Sequence, residues 1–154
     1  MIAKKVKAFL DENGVKYETI FHTLAYTAQT TAESAHIPGK EMAKTVVVKV
    51  DGRMALAVLP ASRHVSFHEL RELTGSNDVH LAGETELRML FPGCELGAMP
   101  PFGNLYGLDV WVDPTLADDE MIAFNAGSHT ELIRMRYADF ARLVSPRVAA
   151  FATA

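Results

Sequence analysis

The fold is decided by the stretch AKTVVVKVDGRMALAVLP, residues 43–60. Two runs rich in β-branched and aliphatic residues flank Asp51-Gly52, the dipeptide favoured in a two-residue type I′ hairpin turn. A turn of this length determines how the two strands are paired. The stretch therefore predicts an antiparallel hairpin whose cross-strand pairs are Val50–Arg53, Val48–Ala55, Val46–Ala57 and Lys44–Leu59.

Lys44 stands on one face of this hairpin with valines and alanines, because side chains alternate across a strand. The opposite face carries larger apolar residues typical of a packed core, which are Val47, Met54, Leu56 and Val58. The first face has small residues and an amine at its open end, so we predict that it forms a pocket wall. There the amine could bind a phosphate or a ribose oxygen. A strand-end lysine can also simply extend its amine into solvent.

The rest of the chain alternates short helical and short extended patterns. A capping-box spacing at Thr30 predicts a helix that ends before Pro38. The mixture favours one α+β domain over residues 1–154 rather than a doubly wound parallel sheet, with a loose tail after Pro146. The other predicted helices are 2–13, 66–74, 84–91 and 137–144, and the other predicted strands are 16–21, 79–82, 108–112, 121–126 and 130–135, with a polar turn between 112 and 121.

Composition and charge describe an ordinary globular protein. Hydrophobic residues make up 49% of the chain and charged residues 22%, and no apolar run approaches the roughly 20 residues of a membrane-spanning helix. The formal charge of −4 argues against a protein that coats DNA or long RNA through many phosphate contacts. It permits a protein that grips only the last nucleotides of an RNA. With Cys94 as the single cysteine and no signal-peptide pattern, we expect a soluble protein of the cytoplasm.

Several familiar catalytic patterns are absent from the sequence. The motifs G-x-S-x-G, G-x-x-x-x-G-K, H-E-x-x-H and C-x-x-C are all missing. His64 and His68 are four residues apart, but a helix is predicted to start between them at Ser66 and no further ligands accompany them. We therefore expect neither a metal nor a cofactor. Cys94 is a candidate nucleophile as the lone cysteine, although a buried, inert thiol is the commoner case where no base or cation is near.

Two segments that contain glycine are candidates for chemistry. Residues 97–103, GAMPPFG, form either a rigid turn or a loop whose glycine lets main-chain N–H groups approach a substrate, as an oxyanion hole requires. Residues 125–130, NAGSHT, follow an apolar strand and form either a plain turn or a binding edge. Within them, His129 is suited to general acid–base or orienting work.

The chain resembles the YbaK/EbsC family in three segments, AKTVVVKVDG, GAMPPFG and NAGSHTELIRM, in this order and spacing. The same family occurs as the editing insertion of bacterial prolyl-tRNA synthetases. The resemblance runs from the first predicted helix to the last. It implies an α+β fold with a mixed, barrel-like sheet and short surrounding helices. It also implies a free-standing deacylase that hydrolyses the aminoacyl ester of a mischarged tRNA.

The resemblance further implies the residues of the site. Lys44 matches the functional lysine of the family. Gly97 and Pro101 match its G-x-x-x-P loop, whose glycine backbone would stabilise the reacting carbonyl. The implied catalytic residues are Lys44, Gly97 and His129, and the implied substrate-binding residues are His22, Thr27, Pro101 and Gly127.

A site without a catalytic triad suits this chemistry, because an aminoacyl ester is already activated. One oxyanion donor contributes roughly 3–4 kcal/mol in well-studied hydrolases. We hypothesise that Lys44 holds the terminal nucleotide and that the Gly97 loop polarises the ester carbonyl, while a histidine or the substrate's own ribose hydroxyl helps to deliver water. The expected partner is the acceptor end of an aminoacyl-tRNA, with a synthetase as a further candidate, and neither DNA nor a membrane.

Two alternatives stay open at this level: a binding module that has lost hydrolysis, and a broader esterase for small activated esters. The expected substrate is a small amino acid on proline tRNA or a similar tRNA. Its identity does not follow from the sequence, since one methylene changes binding by only about 1–3 kcal/mol. Arg63, Arg134 and Arg136 could contact the RNA, or they could be ordinary surface residues.

Overall fold

The computed structural model describes residues 2–23, 32, 35 and 37–154. The helix predicted from Thr30 falls largely outside these residues. No helix in the described part is long and apolar enough to cross a membrane. The α-helices that lie wholly within the described residues are α1 Ile2–Glu12, α2 Phe67–Thr74, α3 Glu84–Leu90, α4 Pro114–Ala117 and α5 Tyr137–Val144. The strands there are β1 Tyr17–Phe21, β2 Ala43–Val50, β3 Arg53–Pro60, β4 His64–Val65, β5 Val79–Leu81, β6 Asp109–Val112, β7 Met121–Asn125, β8 Glu131–Arg136, β9 Arg147–Val148 and β10 Ala152–Thr153.

The strands form a mixed five-stranded sheet, an antiparallel three-stranded sheet and a two-stranded ribbon. The five-stranded sheet has the order β5-β2-β3-β6-β9, in which β3, β6 and β9 run parallel. The three-stranded sheet has the order β1-β8-β7, and the ribbon pairs β10 with β4. An isolated parallel bridge between Met42 and Ala123 joins the two larger sheets. The predicted α+β class and mixed sheet are confirmed, although the ladders of the described residues form three sheets rather than one closed barrel.

The hairpin of β2 and β3 has the predicted register, with Val48 opposite Ala55 and Lys44 opposite Leu59. Its turn residue Asp51 has a φ of 51°, and the following glycine has a φ of 81°. Positive φ at both central positions is what a type I′ turn requires. Local turn chemistry therefore determines this register.

The two faces of the hairpin enter two different apolar clusters. Val47, Leu56 and Val58 pack into the larger one, as predicted. Over most of its length the opposite face is not the predicted pocket wall, because α2, β5 and the C-terminal segment cover it and bury Ala57 and Leu59, whereas its turn end at Ala55 borders a cavity. Small side chains there let the covering elements approach the sheet closely. The buried residues that cover this face are Leu70, Val79 and Phe151.

The segment after Pro146 is ordered, so the prediction of a loose tail is wrong. Its strand β9 extends the sheet beside β6, and β10 pairs with β4. Phe151 is fully buried, and its carbonyl oxygen accepts a hydrogen bond from the N–H of Ser66 at 2.7 Å. The tail is held because it buries a phenyl ring and supplies a partner to two sheet edges that would otherwise be unpaired.

A further correction concerns the polar turn predicted between residues 112 and 121, which contains the short helix α4. The Asp113 carboxylate accepts a hydrogen bond from the N–H of Thr115 at 3.2 Å, and Pro114 stands at the first helical position. These are the capping residues that favour a helix start. The helix is only four residues long, too short to produce a visible apolar periodicity in the sequence.

Gly103 is required by a close approach of the backbone to β6. A Cβ added at this position would lie 2.6 Å from Val110 Cγ2 and 2.7 Å from the carbonyl oxygen of Leu108. We expect Gly103→Ala to lower the free energy of unfolding by about 1–3 kcal/mol, as overpacking does in other cores. Urea unfolding measures the loss. Gly39→Ala is the control, because a Cβ there meets nothing within 4 Å; equal stability of the two variants would contradict the prediction.

Candidate active site

The loop that follows α3 and the turn between β7 and β8 are joined by two backbone hydrogen bonds. The N–H of Gly127 donates to the carbonyl oxygen of Ala98 at 2.9 Å. The N–H of Glu95 donates to the carbonyl oxygen of Gly127, also at 2.9 Å. Residues 95–98 and 127–129 are far apart in the sequence, and the whole of β6, α4 and β7 lies between them. The fold therefore brings into contact the two glycine-containing segments that the sequence identifies as candidates.

His129 fixes this junction from within. Its side chain is buried, with 4% of the residue exposed, and its main-chain N–H donates to Glu95 Oε2 at 3.1 Å. Its Nε2 lies 2.7 Å from the carbonyl oxygen of Leu96. A carbonyl can only accept, so Nε2 carries the proton and donates. This bond holds the peptide group that joins Leu96 to Gly97.

Gly97 adopts a φ of +83°, which L side chains rarely accept. It is exposed, and its Cα faces the imidazole of His129, since an added Cβ would lie 3.5 Å from Cε1 of that ring. Within the described part of the chain, its N–H donates to no protein acceptor. Pro101, four residues further, is buried and stiffens the other end of the loop. The loop thus presents a main-chain donor in a fixed position.

Lys44 lies near the start of β2, where its Nζ is 3.4 Å from the carbonyl oxygen of Ala61. The side chain is half-buried, and burial lowers the pKa of its amine. None of the ion pairs formed by the described residues includes Lys44. A partly desolvated cation without a carboxylate partner is suited to an anionic ligand.

The bridge between Met42 and Ala123 brings Lys44 to the same end of β7 as the glycine–histidine turn. Counting two residues forward from each bridged position leads to Lys44 on β2 and to Asn125 on β7, both on the face of Met42 and Ala123. We call this side of β1, β8, β7 and the start of β2 the lysine face. Asn125 is followed directly by the turn that contains Gly127. The described residues show no hydrogen bond between Lys44 and the Gly97 loop.

His22 continues β1 on the same face. Its N–H donates to the carbonyl oxygen of Thr130 at 3.0 Å, and its Nδ1 is 2.7 Å from the carbonyl oxygen of Thr23. Its Nε2 is buried without a hydrogen-bond partner among the described residues. By strand alternation, His22 shares the side of Ile20, which is the lysine face. Thr27, the other predicted pocket residue of this segment, lies outside the described residues.

The three candidate arginines do not gather around Lys44. Arg63 lies 3.5 Å from Asp113 and donates to the carbonyl oxygen of Ala152 at 3.1 Å, so it ties the tail to α4. Arg134 pairs with Glu41 at 3.4 Å. Arg136 is exposed. Two of the three therefore have structural partners, and an RNA contact is not needed to explain them.

Cys94 lies beside the loop, but its thiol is poorly suited to attack a carbonyl. Burial, together with the neighbouring Glu95 carboxylate, raises the pKa of Cys94 to about 11. The thiolate, which is the nucleophile, is scarce at neutral pH under these conditions. The described residues contain no group of three or more His, Cys, Asp and Glu side chains that could hold a metal ion, and this holds for the surroundings of His64 and His68.

We expect Cys94→Ala to keep the deacylation rate of the unchanged protein to within about a factor of two, because a thiol with a raised pKa contributes little nucleophile. Deacylation of a charged tRNA measures this. Slow alkylation of Cys94 by iodoacetamide at neutral pH provides an independent check. A rate that falls by orders of magnitude in Cys94→Ala would show that the thiol takes part in catalysis.

A cavity of about 550 Å³ lies at the turn end of the hairpin, away from Lys44. Asp51 and Arg53 line its rim, and Trp111 lies in its wall with the Arg147 guanidinium 5.4 Å from the ring centroid. Ala55 contributes to the wall as well. Because Lys44 and Gly97 are not among its lining residues, this cavity is separate from the lysine face.

Comparison with known proteins identifies the family of the chain. A family model described as the aminoacyl-tRNA editing domain matches residues 22–143. The multifunctional Ser/Thr-tRNA deacylase ProXp-y of Escherichia coli strain K12 is 29% identical over 154 residues, which covers 96% of this chain and 91% of that protein. The matched range contains all of the candidate site residues.

Two solved structures share the fold. One, described as a candidate trans-editing enzyme for prolyl-tRNA synthetase, has a TM-score of 0.84 and 20% identity, and the superposition covers 99% of this chain and 97% of that one. The other, a hypothetical protein, has a TM-score of 0.86 and 20% identity over 97% of this chain and 99% of that one. At these identities the likeness establishes the architecture.

Proposed function

The chain belongs to the aminoacyl-tRNA editing domain family, and from that premise we propose that it removes a small, wrongly attached amino acid from proline tRNA or a similar tRNA. Its activity is that of an aminoacyl-tRNA deacylase, an ester hydrolase. Serine and threonine are the amino acids in the name of the E. coli relative, and prolyl-tRNA synthetase is the enzyme in the description of one structural neighbour. These names support a small substrate side chain and a trans-editing role.

The observation that carries the proposal is that Gly97 is exposed, that its N–H donates to no acceptor among the described residues, and that His129 holds its peptide group. A tetrahedral intermediate places negative charge on the former carbonyl oxygen, and a pre-oriented N–H stabilises that charge without reorganisation. The bond from His129 Nε2 to the carbonyl oxygen of Leu96, 2.7 Å long, holds the peptide group that joins Leu96 to Gly97 and contains this N–H. In our proposal Gly97 is the oxyanion donor, and His129 is a positioning residue for it.

Lys44 supplies the cation for the terminal nucleotide. Its amine is half-buried and has no carboxylate partner among the described residues, so a phosphate or a ribose oxygen of the 3′ end would satisfy it. His22 and Pro101 would line the same region, and Gly127 would hold the Gly97 loop in place. We also propose that the protein binds only the acceptor end of the tRNA. In the cytoplasm, it would act beside the synthetase that charges this tRNA.

The reaction balances without a cofactor. The oxygen of a water molecule bonds to the ester carbonyl carbon, and the bond between that carbon and the ribose oxygen breaks. One proton of the water passes to the leaving ribose oxygen, and the other is released as the new carboxylic acid ionises. In our proposal the neighbouring ribose hydroxyl relays the first proton, because His129 already donates its Nε2 proton to Leu96.

A panel of charged tRNAs tests the proposal. The purified protein is incubated with proline tRNA that carries Ala, Ser, Thr, Cys or Pro, and the loss of the aminoacyl bond is measured. We expect turnover of at least one noncognate species and sparing of the prolyl species. Binding without turnover would indicate a binding module instead, and faster turnover of small activated esters than of any charged tRNA would indicate a general esterase.

A further inference from the structure

Asn125 is a buried polar residue that the mechanism above does not use. The residue is 6% exposed, and its side-chain oxygen has no hydrogen-bond partner in the described structure. An unpaired acceptor of this kind is unfavourable in a folded protein, since nearly all buried polar groups are paired. A polar residue kept at such a position is suited to a ligand that supplies the missing donor.

The position of Asn125 directs its side chain to the lysine face. Along β7, Ile122 and Phe124 enter the large core, whereas Ala123 joins a separate small cluster with Met42. Asn125 follows this alternation and lies on the side of Ala123. In the described ladders, the strands β2 and β7 are joined by the bridge between Met42 and Ala123, so the next positions on this side, Lys44 and Asn125, follow directly after the bridged pair.

The main chain at Asn125 also places it close to the proposed oxyanion donor. Two residues later, the N–H of Gly127 donates a hydrogen bond to the carbonyl oxygen of Ala98, the residue that follows Gly97. A substrate whose ester carbonyl meets the Gly97 N–H, and whose nucleotide meets Lys44, would have its aminoacyl side chain near the end of β7. Asn125 is the buried polar side chain that β7 contributes at that place.

The acceptor could receive either a hydroxyl or the substrate's α-ammonium group. The lysine face already holds the Lys44 amine, which is partly buried and has no carboxylate partner among the described residues. A second cation beside it would be repelled. A neutral hydroxyl has no such penalty and can donate one hydrogen bond to a carboxamide oxygen.

We propose that Asn125 is a specificity-determining residue whose side-chain oxygen accepts a hydrogen bond from the β-hydroxyl of a seryl or threonyl group. This inference rests on the proposed function and adds the group that distinguishes serine and threonine from alanine. Shape alone separates these amino acids weakly, whereas a site built to bond a hydroxyl rejects the analogue that lacks it much more strongly.

The test compares the kcat/KM values for seryl-tRNA and alanyl-tRNA on the same tRNA. We expect the unchanged protein to prefer the seryl species by about 10-fold or more. Asn125→Leu has a similar shape and no acceptor, so its preference should fall to within about threefold, through loss of seryl turnover rather than gain of alanyl turnover. Asn125→Asp keeps an acceptor oxygen and should retain a seryl preference above that of Asn125→Leu.

Thr45→Val is the matched control. Thr45 is also buried and its hydroxyl also has no partner among the described residues, but it lies on the opposite face of β2. We expect this variant to leave the ratio of seryl to alanyl turnover unchanged. Urea unfolding should show Asn125→Leu to be at least as stable as the unchanged protein, because the side-chain oxygen gives up no hydrogen bond.

Three results would overturn the inference. Equal losses for seryl and alanyl substrates in Asn125→Leu would assign Asn125 to the α-ammonium group, and an unchanged ratio would mean that water alone satisfies the oxygen. If the unchanged protein deacylates alanyl-tRNA as fast as seryl-tRNA, recognition of the β-hydroxyl by Asn125 would also be excluded. Each of these leaves the deacylase function intact, whereas absence of turnover with every charged tRNA would refute the proposed function itself.

Discussion

Lys44→Met is expected to lower kcat/KM for aminoacyl-tRNA by about 100-fold, because truncating one member of a buried, hydrogen-bonded charge pair costs about 2–5 kcal/mol. Methionine keeps most of the length and apolar bulk of the side chain, so the loss isolates the charge. Lys44 has no carboxylate partner among the described residues, and its Nζ lies 3.4 Å from a single carbonyl oxygen, that of Ala61. The variant should therefore remain folded while it loses activity.

Lys49→Met is the control for this experiment. Lys49 is on the same strand, but its Nζ pairs with Glu86 Oε2 at 2.8 Å near the other end of β2. We expect its deacylation rate to change little. Undiminished turnover in Lys44→Met, or equal losses in the two variants, would remove Lys44 from the site.

The dependence on pH gives the same prediction a second readout. Burial lowers the pKa of Lys44, so the amine loses its charge at a lower pH than an ordinary lysine. Activity that needs the cation should therefore decline on the alkaline side earlier than a normal lysine would cause. Between the lowered folded pKa and the normal unfolded pKa, the unfolded chain binds more protons, so this group makes stability rise with pH. Lys44→Met should abolish that contribution.

Gly97→Ala is expected to reduce kcat by about 10²- to 10³-fold, the loss seen when an oxyanion donor is removed from other hydrolases. The φ of +83° at this position is unfavourable for alanine, so the peptide should rotate toward negative φ and carry its N–H away from the carbonyl oxygen. The added Cβ itself would meet His129 Cε1 at an ordinary 3.5 Å. Single-turnover deacylation separates this loss in the chemical step from weaker binding.

Gly107→Ala is a matched control for the backbone effect. Gly107 has a similar φ of +68°, and a Cβ there meets nothing within 4 Å. Its stability loss should be comparable to that of Gly97→Ala, whereas its activity should be close to that of the unchanged protein. Equal kinetic losses in the two variants would show that Gly97 acts through general destabilisation and not as an oxyanion donor.

Several site residues can be identified from the amino-acid sequence, each for a different reason. Lys44 follows from hairpin register, because two turn residues determine which side chain faces which. Gly97 and His129 follow from resemblance to a family and from the presence of glycine and histidine at strand ends. Asn125 belongs to the same NAGSHT segment, but only the alternation of β7 and the missing hydrogen bond single it out. Glu95, which anchors His129, lies in an irregular loop without any pattern to mark it.

The predictions of an open pocket wall and of a loose tail fail for one shared reason. The face of the hairpin with Ala55 and Ala57 suggests an open wall because small residues leave room, yet the room is filled by elements remote in sequence, Leu70 and Phe151 among them. The tail suggests disorder for the same reason, since nothing local reveals that β4 and β6 need partners. Whether a residue is buried depends on the residues, distant in the sequence, that pack against it.

The α+β class, the hairpin with its register, and most helix ends follow from local sequence, because turns and caps are short-range interactions among neighbouring residues. Only the folded chain shows that residues 95–98 meet residues 127–129 and that the bridge at Met42 brings β2 to β7. Those contacts depend on long-range packing, for which no local periodicity codes. The chemistry proposed for this protein requires them, since a lone N–H or a lone amine becomes a site only when the fold places the two at the end of one strand.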